Sequence, residues 1–235
     1  GGGLIGMKAA EALSHHADRI DVFDRSPRIL PAVLDADGAA IVSRLVEPHG
    51  IFCHPSMSVD EMLGEGERVT HVRLTDGSDE ACDMVIVAVG VRPASKLAVE
   101  AGAEQSRGLI CGPDLQTSLP DVYAAGDVTQ VTDTLDGSER PLALWPNAVR
   151  QGRIAAMHMA GVPGALPDEG SFAVNAVDFF EASLLTAGII NPAEDGGFEV
   201  DVRAEGTRYA KFVKRDGLLV GYILLNRPQN AGIYT

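Results

Sequence analysis

The chain has 235 residues, 46% apolar and 22% charged, enough for a packed core and too apolar for wholesale disorder. Its 33 Asp and Glu against 19 Lys and Arg give a net charge of −14, the wrong sign for a binder of nucleic-acid phosphates or of an anionic membrane surface. No run of about 18 apolar residues is present to cross a bilayer, and no signal-peptide pattern opens the sequence.

The first predicted element is a helix over 4–14, where Leu4, Met7, Ala10 and Leu13 repeat at helical spacing. RIDVFD, residues 19–24, is a short β-branched and aromatic strand ending in an acid. Asp37 is placed to cap a second helix through about Glu47, with Ile41, Leu45 and Val46 inward and Pro48 and Gly50 to stop it. IFCH, residues 51–54, reads as a strand. RVTHVRLTDG, residues 68–77, alternates and turns at Asp76-Gly77, and MVIVAVG, residues 84–90, has the continuous apolar character of a buried parallel strand. This order predicts a doubly wound α/β nucleotide domain.

Beyond Pro93 the pattern changes. SKLAVEAG is a short helix, DVYAAGD (121–127) a strand, 129–142 a polar loop and Asn147–Gly161 an Ala- and Met-rich helix. GVPGALPDEG, residues 161–170, reads as a linker. After it SFAVNAVDFF, GFEVDVRAEG, YAKFVKR and LLVGYILL read as antiparallel strands, with a hairpin at Asp216-Gly217. Three domains are expected, over 1–92, 93–164 and 165–235.

The opening GGGLIGMKAAEAL carries the clearest chemistry. Gly1, Gly3 and Gly6 fill a G-x-G-x-x-G pattern that leads directly into a helix. The first glycine allows a tight turn, the second a close approach of backbone to a pyrophosphate, the third close packing of helix on sheet. With Leu4 and Ile5 they form a helix start whose free N–H groups favour phosphate. Asp24, 18 residues after Gly6 at a strand end, is placed to accept from an adenosine ribose 2′-hydroxyl. A 2′-phosphate would meet that carboxylate as a like charge, a repulsion of about 1–4 kcal/mol at about 4 Å. NADH is therefore expected over NADPH, with the adjacent Arg25 softening the difference. The motif normally follows a buried strand, so the chain reads as a piece of a longer protein that begins inside a motif.

No catalytic triad, carboxylate dyad or metal-spaced His/Cys cluster is visible. Cys53, Cys82 and Cys111 form no CxxC pair and read as free thiols of a reducing cytoplasm. The six histidines read as structural.

Two further stretches carry a resemblance. VIVAVGVRPASKLAVEAG (85–102) resembles the crossover from NAD to FAD domain in two-dinucleotide flavoproteins, and TSLPDVYAAGDV (117–128) resembles their second FAD motif. The chain resembles the pyridine nucleotide-disulfide oxidoreductase superfamily, in the branch of NADH oxidases, NADH:rubredoxin reductases and nitrite reductase flavin modules. The resemblance implies a Rossmann-type NAD domain, a returning part of an FAD domain and a small α+β interface domain. It places Asp127 on the FAD ribityl chain, with Gly126 allowing the approach. It places Asn147 and Ala148, in LWPNAVRQGRIAA, at a helix start facing the flavin, Gly90 beside the NADH channel and Val59 near the adenine. Trp145 beside them reads as a flavin-side residue or a packing anchor. Lys8 stands where many relatives have Glu. The family's first FAD motif and redox cysteines are not matched by anything here, and NAGIYT ends the last domain earlier than in relatives.

The implied function is hydride transfer from NADH to FAD and onward to oxygen, a disulfide or a small redox protein. Such chemistry needs orientation and electrostatics rather than a general base. The alternatives are an electron-entry subunit of a larger complex and an NADH sensor without turnover. A homodimer is expected, formed through the third domain.

Overall fold

The computed structural model describes residues 1–227; NAGIYT lies outside the described residues. In chain order the elements are α1 (Leu4–Leu13), β1 (Ile20–Asp24), α2 (Ala36–Val46), β2 (Ile51–Pro55), β3 (Val59–Glu65), β4 (Arg68–Leu74), β5 (Asp79–Ala81) and α3 (Lys96–Glu100). They continue with β6 (Val131–Thr132), β7 (Glu139–Arg140), α4 (Trp145–Met159), β8 (Val174–Phe179), β9 (Ala182–Gly188), β10 (Phe198–Glu205), β11 (Arg208–Arg215) and β12 (Leu218–Leu225). The chain divides into two compact units: residues 1–90 with those from Asn175 on, and residues 91–174.

In the first unit β1 and β2 pair in parallel, from Ile20–Ile51 to Asp24–Pro55, across the α2 crossover. Parallel pairing requires such a crossover, and α2 supplies it by burying Ala39, Ile41, Val42 and Val46. Its cap is Asp35, not Asp37. Asp35 has the extended backbone of an N-cap and its Oδ1 accepts from Gly38 N at 3.0 Å, whereas Asp37 lies within the first turn, where an acid favours the helix dipole. Glu47–His49 form a 3₁₀ turn and Gly50, at φ 78°, ends the segment.

β3, β4 and β5 form an antiparallel meander. The expected strand at 84–90 does not form. Met84, Ile86, Val87 and Val89 are 47–80% exposed, and no described strand pairs with the segment. A strand exists only when its N–H and C=O groups meet a neighbour. Between this segment and β1, whose second edge has no described partner, lies an apolar cavity of about 760 Å³.

The remaining strands form one antiparallel sheet in the order β10-β11-β12-β9-β8. Asp216 and Gly217 take φ 54° and 77°, the positive pair that a two-residue hairpin demands. β9 was not read from the sequence. One face of this sheet does not wait for a partner chain. Phe179, Leu184, Tyr209, Ile223 and Leu225 join Met7, Ile29, Leu34 and Val42 in one buried cluster with the nucleotide-type helices. A polar joint crosses the same seam: Asp35 Oδ2 accepts from Tyr209 Oη at 2.6 Å and from Lys211 Nζ at 2.9 Å.

The second unit holds α3, the β6–β7 ladder, α4 and a set of isolated bridges. The strand expected over 121–127 is reduced to the single bridge Tyr123–Gln116. Asp121 at φ 60° and Gly126 at φ 81° turn the chain at both ends of the run and leave no room for a ladder. Residues 161–170 carry neither helix nor strand, yet they are held: Asp168 N donates to Pro113 O at 2.6 Å and its side chain is buried beside Arg150.

Candidate functional site

The glycine loop and the acid predicted to serve it meet in the first unit. Gly2 N donates to Asp24 Oδ2 at 2.6 Å and Ser26 N donates to Asp24 Oδ1 at 2.7 Å. β1 therefore delivers its terminal carboxylate to the loop that opens α1. Burial would raise the pKa of Asp24, but the amides of Ser26 and Gly2 outweigh it and hold the carboxyl below its usual range. Arg25 is exposed beside it and makes no ion pair among the described residues.

Two of the three motif glycines are required sterically. A Cβ on Gly1 would lie 2.2 Å from Ala88 O, and one on Gly6 would lie 1.8 Å from Gly1 O. Nothing lies within 4 Å of a Cβ on Gly3, so the loop is open at the point assigned to phosphate. Gly3 caps α1 without a side-chain bond, and the first turn holds no acid. The amides of Leu4, Ile5 and Gly6 there lack intrahelical acceptors and face an anion favourably. Val59 lines the same cavity as Gly1 and Gly6. Gly90 takes φ 109° with nothing within 4 Å of a Cβ. Lys8 is turned away from a free role: its Nζ pairs with Glu11 and donates to Asp178 O at 2.9 Å.

The second set meets in the other unit. A Cβ on Gly126 would lie 3.3 Å from that of Ala148, so the Gly126–Asp127 turn rests on the start of α4. Asp127 is exposed and its carboxylate is bonded to no described residue, leaving an acceptor at the tip of the turn. α4 starts without a side-chain cap, with Pro146 in its first turn and no acid there, so its positive end is uncompensated. Asn147 is buried: its Oδ1 accepts from Ser171 Oγ at 2.8 Å and its Nδ2 donates to Leu142 O at 3.4 Å. That side chain fixes the helix start, and what it leaves for a ligand is its backbone N–H. Trp145, one residue inside the helix, is 84% exposed.

The thiols are not poised for redox work. Burial raises Cys53 and Cys82, and burial with Asp114 and Asp168 pushes Cys111 up to about 11, so none is a thiolate near neutral pH. No cluster of metal-ligating side chains occurs among the described residues.

The sequence reading missed Gln151. It is 1% exposed, and its Oε1 accepts from Gly126 N at 2.8 Å and Thr129 Oγ1 at 3.2 Å. The signal was its spacing: Asn147, Gln151 and Ala155 share the inner face of α4 at i, i+4, i+8. Asp35, Tyr209 and Lys211 were also missed as a group, since 174 residues separate the first from the second.

A parallel β-α-β unit with an open glycine loop and a strand-end carboxylate is the arrangement of a Rossmann-type fold. The sequence pattern of the pyridine nucleotide-disulphide oxidoreductase family matches residues 1–152, and the chain belongs to that family. It is 37% identical over 163 residues to an NADH oxidase of Methanocaldococcus jannaschii, covering 69% of this chain and 36% of that protein. It is 32% identical to a rubredoxin-NAD(+) reductase of Alcanivorax borkumensis, covering 95% of this chain and 56% of that one. The crystal structure of a ferredoxin reductase from Rhodopseudomonas palustris superposes with a TM-score of 0.83 at 28% identity, covering 96% of this chain and 55% of that one. The chain thus spans about a third to a little over half of these relatives.

Proposed function

We propose that this chain is the NADH-binding and flavin-facing part of an FAD-dependent NADH oxidoreductase that passes electrons to a separate acceptor. The observation that carries it is the pairing of two built elements: an open glycine loop with Asp24 bonded to it, and the Gly126–Asp127 turn packed on the start of α4. The bound flavin supplies the ring that accepts hydride from the nicotinamide. The chain's own part is binding and orientation. The amides of Leu4, Ile5 and Gly6 hold the pyrophosphate and Asp24 the ribose. Asp127 accepts from the ribityl hydroxyls, and the start of α4 stabilises negative charge on the reduced ring. Gly90 and Val59 belong to the nicotinamide and adenine ends.

A small redox protein is the acceptor we favour over oxygen or a disulfide. Its support is the pair of relatives named as reductases of rubredoxin and ferredoxin. No described helix is long and apolar enough to cross a membrane. A cytoplasmic homodimer completes the proposal; Val200 and Val202 on the edge strand β10 stay half-exposed and are available to a second copy.

The test is the visible spectrum of the native protein, before and after NADH is added without oxygen. A flavin band that bleaches is expected, and a protein with no flavin band overturns the reading. Asp127→Ala is expected to lower the flavin content at unchanged fold. Asp24→Ala is expected to weaken NADH by about tenfold while changing NADPH less, because it removes a hydrogen bond from one and a like charge from the other. Titration with both nucleotides decides it; equal losses would remove Asp24 from the ribose.

A further inference from the structure

We propose that Gln151 is a positioning residue that sets the Gly126–Asp127 turn for FAD, an inference that rests on the flavin assignment above. The turn is left-handed at Gly126, φ 81°, and its backbone groups are outside any strand ladder. Gly126 O is taken by Thr129, whose N and Oγ1 both donate to it at 2.9 Å. Gly126 N has one acceptor, the Gln151 carbonyl at 2.8 Å, and the Thr129 hydroxyl shares that same oxygen at 3.2 Å. Thr129 closes the turn from within, and the Gln151 oxygen anchors it from α4 through Gly126 N, leaving Asp127 at its tip.

The amide cannot be reversed. Its Nε2 donates to Asp168 Oδ2 at 3.2 Å, and Asp168 is held in turn by Arg150 and by Gly170 N at 3.0 Å. Turned over, the amide would set N–H against N–H at Gly126 and oxygen against carboxylate at Asp168. Gln151 lies one turn beyond Asn147 and Ala148 on α4. It ties the start of that helix and the turn resting on it into one piece. A ligand gripped by both meets them in a fixed relation, and affinity that depends on pre-organisation is lost when the tie is cut.

The experiment uses the native protein stripped of flavin and titrated with FAD, read by flavin fluorescence, with the melting of each apoprotein recorded alongside. Gln151→Leu leaves the half-buried Gly126 N–H without its acceptor and leaves the Thr129 hydroxyl only Gly126 O to donate to, and the FAD dissociation constant is expected to rise about tenfold or more. Gln151→Glu keeps the acceptor but sets a second carboxyl against Asp168, which has Arg150 on its far oxygen and the Cys111 thiol in its field, while the 126–129 turn carries the exposed Asp127. When protonated, this carboxyl reproduces the amide, accepting at Gly126 and donating at Asp168. FAD affinity of the variant is therefore expected to recover as pH falls from about 8 to about 5.5, while the parent stays flat. Packing alone would lower the melting temperature without giving the Glu variant a pH-dependent affinity. A Leu variant that binds FAD within twofold of the parent overturns the proposal, as does a Glu variant without pH dependence; the latter decides the matter if the Leu variant does not fold. A parent that takes up no FAD overturns the functional reading itself.

Discussion

Asp35→Ala is expected to destabilise the first unit by about 3–5 kcal/mol, measured by chemical denaturation at neutral pH. Three losses combine. The α2 cap disappears, worth about 1 kcal/mol. Tyr209 Oη loses its acceptor at a residue that is 1% exposed. Lys211, whose side chain is 11% exposed, is left as a charge without its carboxylate. Removal of one partner of a buried pair costs far more than the pair is worth intact, because the remaining charge stays desolvated. The effect should depend on pH with a defined sign. Burial works to raise Asp35, but the bonds from Tyr209 and Lys211 and the Gly38 amide win and hold its carboxyl below the usual range. A lowered carboxyl adds stability above its unfolded pKa, about 3.9, and loses it as the pH falls through the lower folded value. The gap between parent and variant should therefore be full at pH 7 and narrow as the pH falls below about 4. Asp35 thus fastens the antiparallel sheet to the nucleotide-type helices, and Tyr209→Phe, which removes only one bond, should cost about 1 kcal/mol.

Gly6→Val is expected to abolish tight NADH binding while leaving the C-terminal sheet folded. A Cβ at Gly6 meets Gly1 O at 1.8 Å, and Gly1 cannot retreat because its own far side lies against Ala88. Backbone, not a flexible side-chain end, is on both sides, so the loop itself must move. Displacement of the loop carries the Leu4 and Ile5 amides away from the phosphates, and it strains the Gly2–Asp24 bond that positions the ribose carboxylate. The NADH dissociation constant should rise by more than tenfold, read by nucleotide fluorescence, with circular dichroism of the β-rich part retained. A variant with parental NADH affinity would show that the loop is not the phosphate site. Asp24→Ala offers the contrast, since it removes a ribose contact and leaves the loop in place.

Much of this protein was legible in its residues. The spacing of Leu4, Met7 and Ala10 gave α1, and the alternation and turns around Asp216-Gly217 gave β11 and β12. The 18-residue interval from Gly6 to Asp24 marked the carboxylate as a ribose acceptor, and the structure shows it bonded to Gly2 N of the glycine loop. These are local features: helical and strand periodicity, glycine where no Cβ fits, an acid at a strand end. The run MVIVAVG failed for the opposite reason. Its composition names a buried strand, but a strand is a relation between two backbones, and among the described residues no strand pairs with it. DVYAAGD failed because the backbone at Asp121 and Gly126 turns where composition suggests extension. The choice of Asp35 over Asp37 as cap rested on a backbone angle that composition does not reveal.

The sequence by itself determined the glycine loop, the acid that lies beside it and the kinship with the pyridine nucleotide-disulphide oxidoreductase family, because each is written in a short, contiguous spacing of residue types. Only the tertiary structure decided that the last sheet buries one face against α1 and α2, that Asp35 is its polar fastening, and that Gln151 anchors the turn below Asp127. Those depend on groups separated by 22 to 176 residues. Desolvation decides which of them must be paired, and burial exists only once the chain has closed on itself.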